Sequence, residues 1–184
     1  GNPVQGGGRA VNWNQVHGVL QTETLAGKPY TMKSIYVSCS NPVVCQTERQ
    51  ETLRVFEDVE FVVVQDMVFT ETAKYADILL PDAMRSEQLN MQTQGYSEYY
   101  TAVVVGGPAQ EAPGECRSSY DVCADIADKF GKKDAFTEGK TQEDWIKELY
   151  EAGAKADGNM PTWDEIKAQG VYKRPLEPAI GLVD

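Results

Sequence analysis

The feature that most constrains the fold is a strand–helix–strand pattern between residues 34 and 64. Ser34–Ser38 is a short β-branched and aromatic run, and it stops before an Asn41-Pro42 pair that forces an extended or turn conformation. Thr47-x-x-Gln50 has the pattern of a capping box and predicts a helix that ends near Asp58. Phe61–Val64 is then continuously apolar, which is typical of a strand covered on both faces. The pattern predicts a βαβ unit with two parallel strands.

Shorter signals continue this pattern. Glu71–Ala76 predicts a helical turn, Ile78–Leu80 a third apolar strand, and Tyr99–Val105 a further strand. The later part of the chain is predicted to be mainly helical, with these signals: a start at Ser118, a buried stripe of Val122, Ile126 and Phe130, and capping boxes at Thr141-x-x-Asp144 and Thr162-x-x-Glu165. Together the signals predict an α/β fold: an open, mostly parallel sheet with flanking helices in a Rossmann-like three-layer domain, followed by a helical C-terminal part.

The length of 184 residues suits one domain and is short for two. Residues 1–32 are predicted to form a loose N-terminal segment, glycine-rich at its start and with a short helix or turn at 11–25. Residues 33–175 are predicted to be the α/β domain. An extended tail at 176–184 follows, marked by Pro175 and Pro178.

Composition excludes several classes of function. The net charge of −11 argues against nucleic-acid binding, because no basic surface is available to displace the counterions of a phosphate polymer. No apolar stretch approaches the ~20 residues of a membrane-spanning helix. The four cysteines do not form a C-x-x-C clip, so no metal site is predicted: they are Cys39, Cys45, Cys116 and Cys123. The single histidine, His17, favours a packing or surface role, and no catalytic residue is predicted.

Polar side chains follow the first two long strands of the predicted sheet. The first cluster contains Ser40 and Asn41, and the second contains Gln65 and Asp66. Ligands of open α/β sheets bind beyond the carboxyl ends of the strands, so both clusters could face one bound molecule. The Asp66 carboxylate can accept two hydrogen bonds from an amino-purine edge or a ribose. An equally weighted alternative is that Asn41 holds a turn and Asp66 caps the next helical turn.

Three motifs resemble the molybdopterin oxidoreductases of the dimethyl sulfoxide reductase family: Ser40-Asn41-Pro42, Val63–Asp66, and Thr70–Pro81 followed by Glu87. Members of that family carry a G-N-P loop after a strand, a V-V-x-D strand end and a T-x-T-A-x-x-A-D-I-x-L-P segment. Residues 115–118, 136–139 and 142–146 look like the catalytic subunits of anaerobic dimethyl sulfoxide reductases in particular. The resemblance covers roughly residues 33–175.

The resemblance implies that this chain is an internal domain of a longer molybdenum-dependent oxidoreductase, and that the piece alone is inactive. The cofactor implied for the parent is a bis-molybdopterin guanine dinucleotide, whose guanosine end this domain would anchor, with no metal bound by the piece itself. Cofactor contacts are implied for these residues: Ser40, Asn41, Gln65, Asp66, Glu87 and Gln88. The family reduces S-oxides, N-oxides and related acceptors in anaerobic respiration, so the parent's substrate stays open.

The implied partners are the remaining domains of the parent, together with iron–sulfur electron-transfer and membrane-anchor subunits. The periplasm or the outer face of a bacterial membrane is expected for the parent, although the compartment of this chain is unknown. An isolated domain is expected to expose an apolar face that the parent buries, which favours homodimers. Cys39 and Ser40 stand where the family loop begins with glycines, leaving less room for close backbone approach. The alternative function is a non-enzymatic α/β binding or interaction module.

Overall fold

The structure is a computed structural model that describes residues 11–93 and 102–174. The chain divides into two compact units, Gly1–Pro81 (unit 1) and Asp82–Asp184 (unit 2). The predicted α/β class is confirmed, since unit 1 carries a parallel sheet with helices and unit 2 an antiparallel sheet with helices. The predicted boundaries at residues 32/33 and 175/176 stay a prediction, and the tail at 176–184 lies outside the described residues.

Unit 1 begins with a helix and a small hairpin and continues into the predicted βαβ unit. Its elements, in chain order, are α1 (Trp13–Thr22), β1 (Thr24–Leu25), β2 (Lys28–Pro29), β3 (Ser34–Ser38), α2 (Pro42–Cys45), α3 (Arg49–Asp58), β4 (Phe61–Asp66), a 3₁₀ turn (Thr72–Tyr75) and β5 (Ile78–Pro81). The three longer strands form a parallel sheet in the order β3-β4-β5. The strands, the helix end at Asp58 and the short turn predicted from the sequence are thereby confirmed.

The core of unit 1 lies between this sheet and the helices α1 and α3. Val37, Val62 and Val64 are buried on the helix side, where Phe56 of α3 and Trp13 of α1 pack against them. The indole Nε1 of Trp13 also donates to Thr52 Oγ1 at 3.1 Å, which ties α1 to α3. This contact makes α1 part of the packed core of unit 1.

The opposite face of the same sheet is half-exposed. Tyr36, Phe61 and Ile78 are 42%, 41% and 45% exposed. The continuous apolar run at 61–64 predicted that both faces of the sheet are covered by other elements. Within the described residues, helices cover only one of the two faces.

One local prediction in unit 1 is confirmed with a different end, and another is wrong. The short helix or turn predicted at 11–25 is present as α1 and stops at Thr22, because Glu23 takes a left-handed backbone (φ 49°) that ends the helix. The chain then turns through Ala26 (φ 51°) and Gly27 (φ 73°) into the β1–β2 hairpin. The predicted capping box at Thr47 is absent. Glu48 adopts a left-handed backbone (φ 57°) and occupies the N-cap position, so Thr47 precedes the cap and no side chain caps this helix.

Unit 2 combines an antiparallel sheet with four helices within the described residues. Its elements, in chain order, are a 3₁₀ turn (Arg85–Glu87), β6 (Asn90–Thr93), β7 (Ala102–Gly106), α4 (Ser119–Lys129), α5 (Lys133–Thr137), α6 (Gln142–Ala156), α7 (Trp163–Gln169) and β8 (Val171–Lys173). The sheet order is β6-β7-β8, and both pairings are antiparallel. The strand predicted at 99–105 is thus confirmed at 102–105, and residues 99–101 lie outside the described part.

The core of unit 2 is formed where α6 and α7 pack on β7. Tyr150, Trp163 and Ile166 are 2%, 8% and 0% exposed, and they contact the buried Val103 and Val105. The rings of Tyr150 and Trp163 lie 5.6 Å apart, and the Tyr150 hydroxyl donates to the carbonyl oxygen of Pro161 at 2.7 Å. Burial of this side chain raises the pKa of its phenol. The hydroxyl is therefore satisfied inside an apolar cluster.

The buried stripe predicted for α4 is wrong at two of its three positions. Val122 is buried, but Ile126 is 38% exposed and Phe130 is 76% exposed. Phe130 is the residue that follows the end of the helix at Lys129, so its side chain leaves the helical face. Among residues 11–93 and 102–174, no helix combines the length and apolar character needed to cross a membrane.

Both predicted capping boxes in unit 2 are confirmed. Thr141 Oγ1 donates to Asp144 Oδ2 at 2.6 Å, and the Thr141 backbone N–H donates to the same oxygen at 2.9 Å. These two bonds hold the pKa of the Asp144 carboxyl below its usual range. At the start of α7, the backbone N–H and then the hydroxyl of Thr162 lower the pKa of Glu165 in the same way.

A pH dependence follows from these depressed pKa values. Groups with a lowered folded-state pKa stabilise the fold above their unfolded pKa and lose that contribution as the pH falls through the folded pKa. We expect unit 2 to lose stability below about pH 4.5, where unfolded carboxyls begin to bind protons. The double variant Asp144→Asn, Glu165→Gln should show a shallower fall between about pH 5 and pH 3. Urea unfolding across this pH range checks the difference, and identical pH profiles would contradict it.

Candidate functional site

The two predicted polar clusters emerge at the same edge of the parallel sheet. Ser38 at the end of β3 pairs with Gln65 near the end of β4, and Asp66 pairs with Pro81 at the end of β5. Because the strands are parallel, the loops that carry Ser40 and Asn41 and the segment after Asp66 all leave the sheet from its carboxyl edge. The predicted arrangement of the two clusters at one sheet edge is therefore present in the backbone.

Asn41 is engaged in a network inside unit 1. Its Oδ1 accepts from the Thr72 hydroxyl at 2.7 Å and from the Thr72 backbone N–H at 3.2 Å. Thr72 Oγ1 in turn accepts from the backbone N–H of Val43 at 3.1 Å. The Asn41 amide oxygen thereby joins the loop after β3 to the 3₁₀ turn before β5. This arrangement is the one expected for an asparagine that holds a turn.

The start of the same loop has an unusual backbone. Cys39 has a φ of 52°, in the left-handed region that favours glycine, and the resembled family motif has glycine at this place. Ser40 is exposed, and its hydroxyl makes no hydrogen bond within the described part of the chain. The loop therefore keeps a glycine-like path even though it carries a cysteine.

Replacing Cys39 by glycine should stabilise unit 1 by up to about 1 kcal/mol. A left-handed conformation costs a non-glycine residue about 1–2 kcal/mol, and the larger unfolded-state entropy of glycine offsets about half of that. The matched control is Cys45→Gly at the end of α2, which should cost about 0.5 kcal/mol because glycine is a weaker helix former than cysteine. Urea unfolding measures both, and equal destabilisation by the two variants would contradict the strain at Cys39.

Gln65 is buried in the sheet. It is 1% exposed, and its Oε1 accepts a hydrogen bond from the Tyr36 hydroxyl on the neighbouring strand. A buried amide of this kind braces the strand ends β3 and β4 together. Its role as a cofactor contact stays a prediction.

Asp66 differs from its neighbours because part of its carboxylate remains available. Oδ1 accepts from the backbone N–H of Met67 at 2.8 Å, which orients the group, and Oδ2 makes no hydrogen bond to the described residues. A pocket of about 220 Å³ opens beside it. Apart from Asp66, the pocket is lined by Met67, Val68, Phe69, Leu79, Leu80 and Pro81. The structure therefore brings Asp66 to this pocket, and Asn41 and Gln65 are not part of its lining.

The apolar lining residues are the part of the site that sequence reasoning missed. Met67, Val68 and Phe69 are 49%, 57% and 67% exposed, although they are large apolar side chains. Three consecutive exposed apolar residues directly after an acidic strand end were the available signal, because loops at that position are usually polar.

A family model for molybdopterin oxidoreductases matches residues 5–129, which is well over half of the chain. The chain belongs to the molybdopterin oxidoreductase family. Within that family it falls in the dimethyl sulfoxide reductase group, as the motifs at Asn41, Asp66 and Thr70–Pro81 indicated. The family implies a molybdopterin cofactor for the complete protein.

Similar curated proteins support the assignment of this chain to the dimethyl sulfoxide reductase group. Dimethyl sulfoxide reductase DmsA of Haemophilus influenzae is 37% identical over 62% of this chain and 14% of its own length. DmsA of Escherichia coli is 33% identical over 78% of this chain and 18% of its own length. A dimethyl sulfoxide/trimethylamine N-oxide reductase of Rhodobacter capsulatus is 35% identical over 79% of this chain and 18% of its own length. The chain thus spans less than a fifth of the length of each of these relatives.

A solved structure supports the fold. Acetylene hydratase from Pelobacter acetylenicus superimposes on 91% of this chain and 21% of its own, with a TM-score of 0.65 and 23% sequence identity. At that identity the likeness concerns the fold of the domain alone.

The other two predicted contacts of the molybdopterin oxidoreductase domain, Glu87 and Gln88, lie in unit 2 and are hydrogen-bonded there. Glu87 is 9% exposed; its Oε2 accepts from the Met84 backbone N–H at 2.8 Å and its Oε1 from Gln110 Nε2 at 3.0 Å. Gln88 Nε2 donates to the carbonyl oxygen of Ala83 at 2.7 Å. Both side chains brace unit 2, and their cofactor contacts stay predictions.

The described residues offer little other chemistry. Among them, no group of three or more His, Cys, Asp or Glu side chains is placed to hold a metal ion, and the four cysteines are free thiols. His17 lies between Glu51 and Asp58 of α3, at 2.5 and 3.2 Å from their carboxylate oxygens. This pairing joins α1 to α3 and accounts for the histidine structurally.

Proposed function

We propose that this domain anchors the guanosine end of a molybdopterin guanine dinucleotide within a dimethyl sulfoxide reductase-like oxidoreductase. The observation that carries the proposal is the Asp66 carboxylate, which is oriented by one backbone N–H and keeps Oδ2 available beside an otherwise apolar pocket. A purine base has flat apolar faces and polar edges, so the carboxylate acceptor and the apolar lining fit such a ring.

The chemistry of the edge favours guanine. The N1–H and N2–H₂ groups of guanine present two donors side by side, which a carboxylate can accept together. Adenine presents an acceptor and one donor on the corresponding edge, so it would place a lone pair against the carboxylate. Asp66 is therefore proposed to select guanine, in agreement with the role that the family resemblance assigns to this strand end.

The rest of the loop framework is proposed to position this contact. The Asn41–Thr72–Val43 network fixes the loop after β3, and the Gln65–Tyr36 bond fixes the end of β4. When bound, the cofactor supplies the redox centre, and the contribution of this chain is to hold its nucleotide end in place. No residue of this chain is proposed to be catalytic.

The activity and partners of the complete protein are part of the proposal. Relatives at 29–37% identity are described as reductases of dimethyl sulfoxide, trimethylamine N-oxide or biotin sulfoxide, so reduction of an S- or N-oxide in anaerobic respiration is proposed for the parent. The remaining domains of the parent are the nearest proposed partners, followed by iron–sulfur and membrane-anchor subunits. The relatives give no support to a homodimer.

Ligand-observed NMR with GMP, IMP and AMP tests the proposal on the 184-residue chain. The three nucleotides carry the same phosphate and differ only in the base edge. We expect weak binding in the order GMP, IMP, AMP, with GMP about tenfold tighter than AMP because hydrogen bonds to a charged group contribute about 1.5–3 kcal/mol each. Asp66→Asn should remove this preference.

The matched control is Glu57→Gln, which removes one negative charge from an exposed position on α3 of the same unit. It should leave the order of the three nucleotide affinities unchanged, because it alters only the overall electrostatic field of unit 1. Equal affinities for GMP and AMP, or an unchanged preference in Asp66→Asn, would contradict the proposal. Asp66 would then serve only to close the turn at Met67.

A further inference from the structure

The segment directly after Asp66 is apolar and unusually exposed. Met67 and Phe69 line the pocket beside the carboxylate and are 49% and 67% exposed. A contiguous exposed apolar patch of this kind is typical of an interaction site or a ligand-binding groove.

The second wall of the pocket comes from a different part of unit 1. Leu79, Leu80 and Pro81 of β5 line it, and Leu79 is 45% exposed. The pocket therefore has apolar walls from two chain segments and one negatively charged group, Asp66, at its edge. This composition matches a flat ring with a donor edge and does not match a purely apolar side chain or an anion.

The size of the pocket narrows the occupant further. Sites for drug-sized ligands measure about 300–1,000 Å³, whereas this pocket measures about 220 Å³. The space suits a single ring system such as a purine base.

We infer that Phe69, with Met67 beside it, forms the stacking platform for the guanine base that Asp66 selects. The inference rests on the proposed function and deepens it by dividing the site into two tasks. Asp66 accepts hydrogen bonds from the edge of the base and determines which base binds. Phe69 contacts the face of the base and determines how tightly any purine binds, because every base has a π-face and stacking is tolerant of its identity.

Phe69→Ala, compared with the wild-type chain, tests this division. Because base–aromatic stacking contributes about 1–3 kcal/mol, the variant should bind GMP and AMP about fivefold or more weakly. The ratio of the two affinities should stay constant. Phe69→Leu keeps an apolar side chain without a ring, so the upfield ring-current shift of the GMP H8 resonance should disappear in this variant too.

The matched control is Phe61→Ala, at the opposite end of β4. Phe61 is 41% exposed, does not line the pocket, and lies about 16 Å from Asp66 along the strand, at about 3.3 Å per residue. This variant should bind both nucleotides as the wild-type chain does. Because Phe69 is exposed, its removal should leave the chain folded, and circular dichroism verifies this.

The outcomes separate the inference from the proposed function. A guanine preference that survives with unchanged affinity in Phe69→Ala would overturn the platform and leave the role of Asp66 standing. Equal binding of GMP and AMP, with both weakened in Phe69→Ala, would keep the platform and overturn the selection by Asp66. No binding of either nucleotide at tens of millimolar, with the chain shown to be folded by circular dichroism, would overturn both.

Discussion

Replacing Ile166 by alanine is expected to lower the free energy of unfolding of unit 2 by about 2–5 kcal/mol. Ile166 is 0% exposed and belongs to the buried cluster that it forms with Val103, Val105, Tyr150 and Trp163. The variant removes apolar surface from this cluster and leaves a cavity that the aromatic rings around it can fill only in part. A domain whose total stability is about 5–15 kcal/mol would lose a large share of it.

Leu149→Ala on the outer side of α6 is the control for this variant. Leu149 is 60% exposed, so its truncation should change the stability by no more than about 0.5 kcal/mol. Guanidinium unfolding followed by circular dichroism compares the two. Equal effects of Ile166→Ala and Leu149→Ala would contradict the assignment of Ile166 to the core.

Thr72→Val is expected to destabilise unit 1 by about 1–3 kcal/mol, although valine has nearly the same shape. Thr72 is 0% exposed, and its hydroxyl both donates to Asn41 Oδ1 and accepts from the Val43 N–H. Valine satisfies neither group, so the buried N–H of Val43 loses its partner. The loop after β3 should also become more mobile, since its link to the 3₁₀ turn is reduced to the Thr72 N–H.

Thr47→Val serves as the matched control. Thr47 is exposed and precedes the N-cap of α3, where its hydroxyl caps nothing. Its replacement should have little effect on stability. Hydrogen exchange of the amides in residues 41–45 provides the second readout, and unchanged protection of these amides in Thr72→Val would contradict the proposed role of the network.

The parallel sheet of unit 1 could be predicted from the sequence because its signals are local and strong. Ser34–Ser38 and Phe61–Val64 are β-rich runs with clear stops, and Ile78–Leu80 ends at a proline. The capping boxes at Thr141 and Thr162 were equally readable, because their geometry depends on residues three positions apart.

Other features depended on tertiary structure that the sequence pattern does not contain. Thr47 has a capping-box sequence, but the left-handed backbone at Glu48 moves the helix start past it. Phe130 fits the helical stripe of α4, yet the helix ends one residue before it. The antiparallel pairing of β7 with β6 and β8 could not be inferred, since the partner strand β8 lies more than sixty residues later in the chain.

The candidate site shows the same division. Parallel pairing placed Asn41, Gln65 and Asp66 at one edge of the sheet, as the strand order predicted. The sequence pattern could not show that Thr72 donates a hydrogen bond to the Asn41 amide oxygen, or that Tyr36 donates one to the Gln65 amide oxygen. Both donors come from other segments of the chain. Asp66 alone of these three lines the pocket, together with a loop that sequence reasoning passed over.

Chemical-shift mapping with GMP is the most direct test of the account. A ¹⁵N-labelled sample of the 184-residue chain should show the largest amide shifts at residues 66–69 and at Leu79 and Leu80, and AMP at the same concentration should shift them less. The Asp66→Asn variant should lose the difference between the two nucleotides. Shifts confined to a surface without a predicted contact, such as the pocket lined by Trp13, Asn14 and His17 of α1, or no shifts at all, would contradict the role of Asp66.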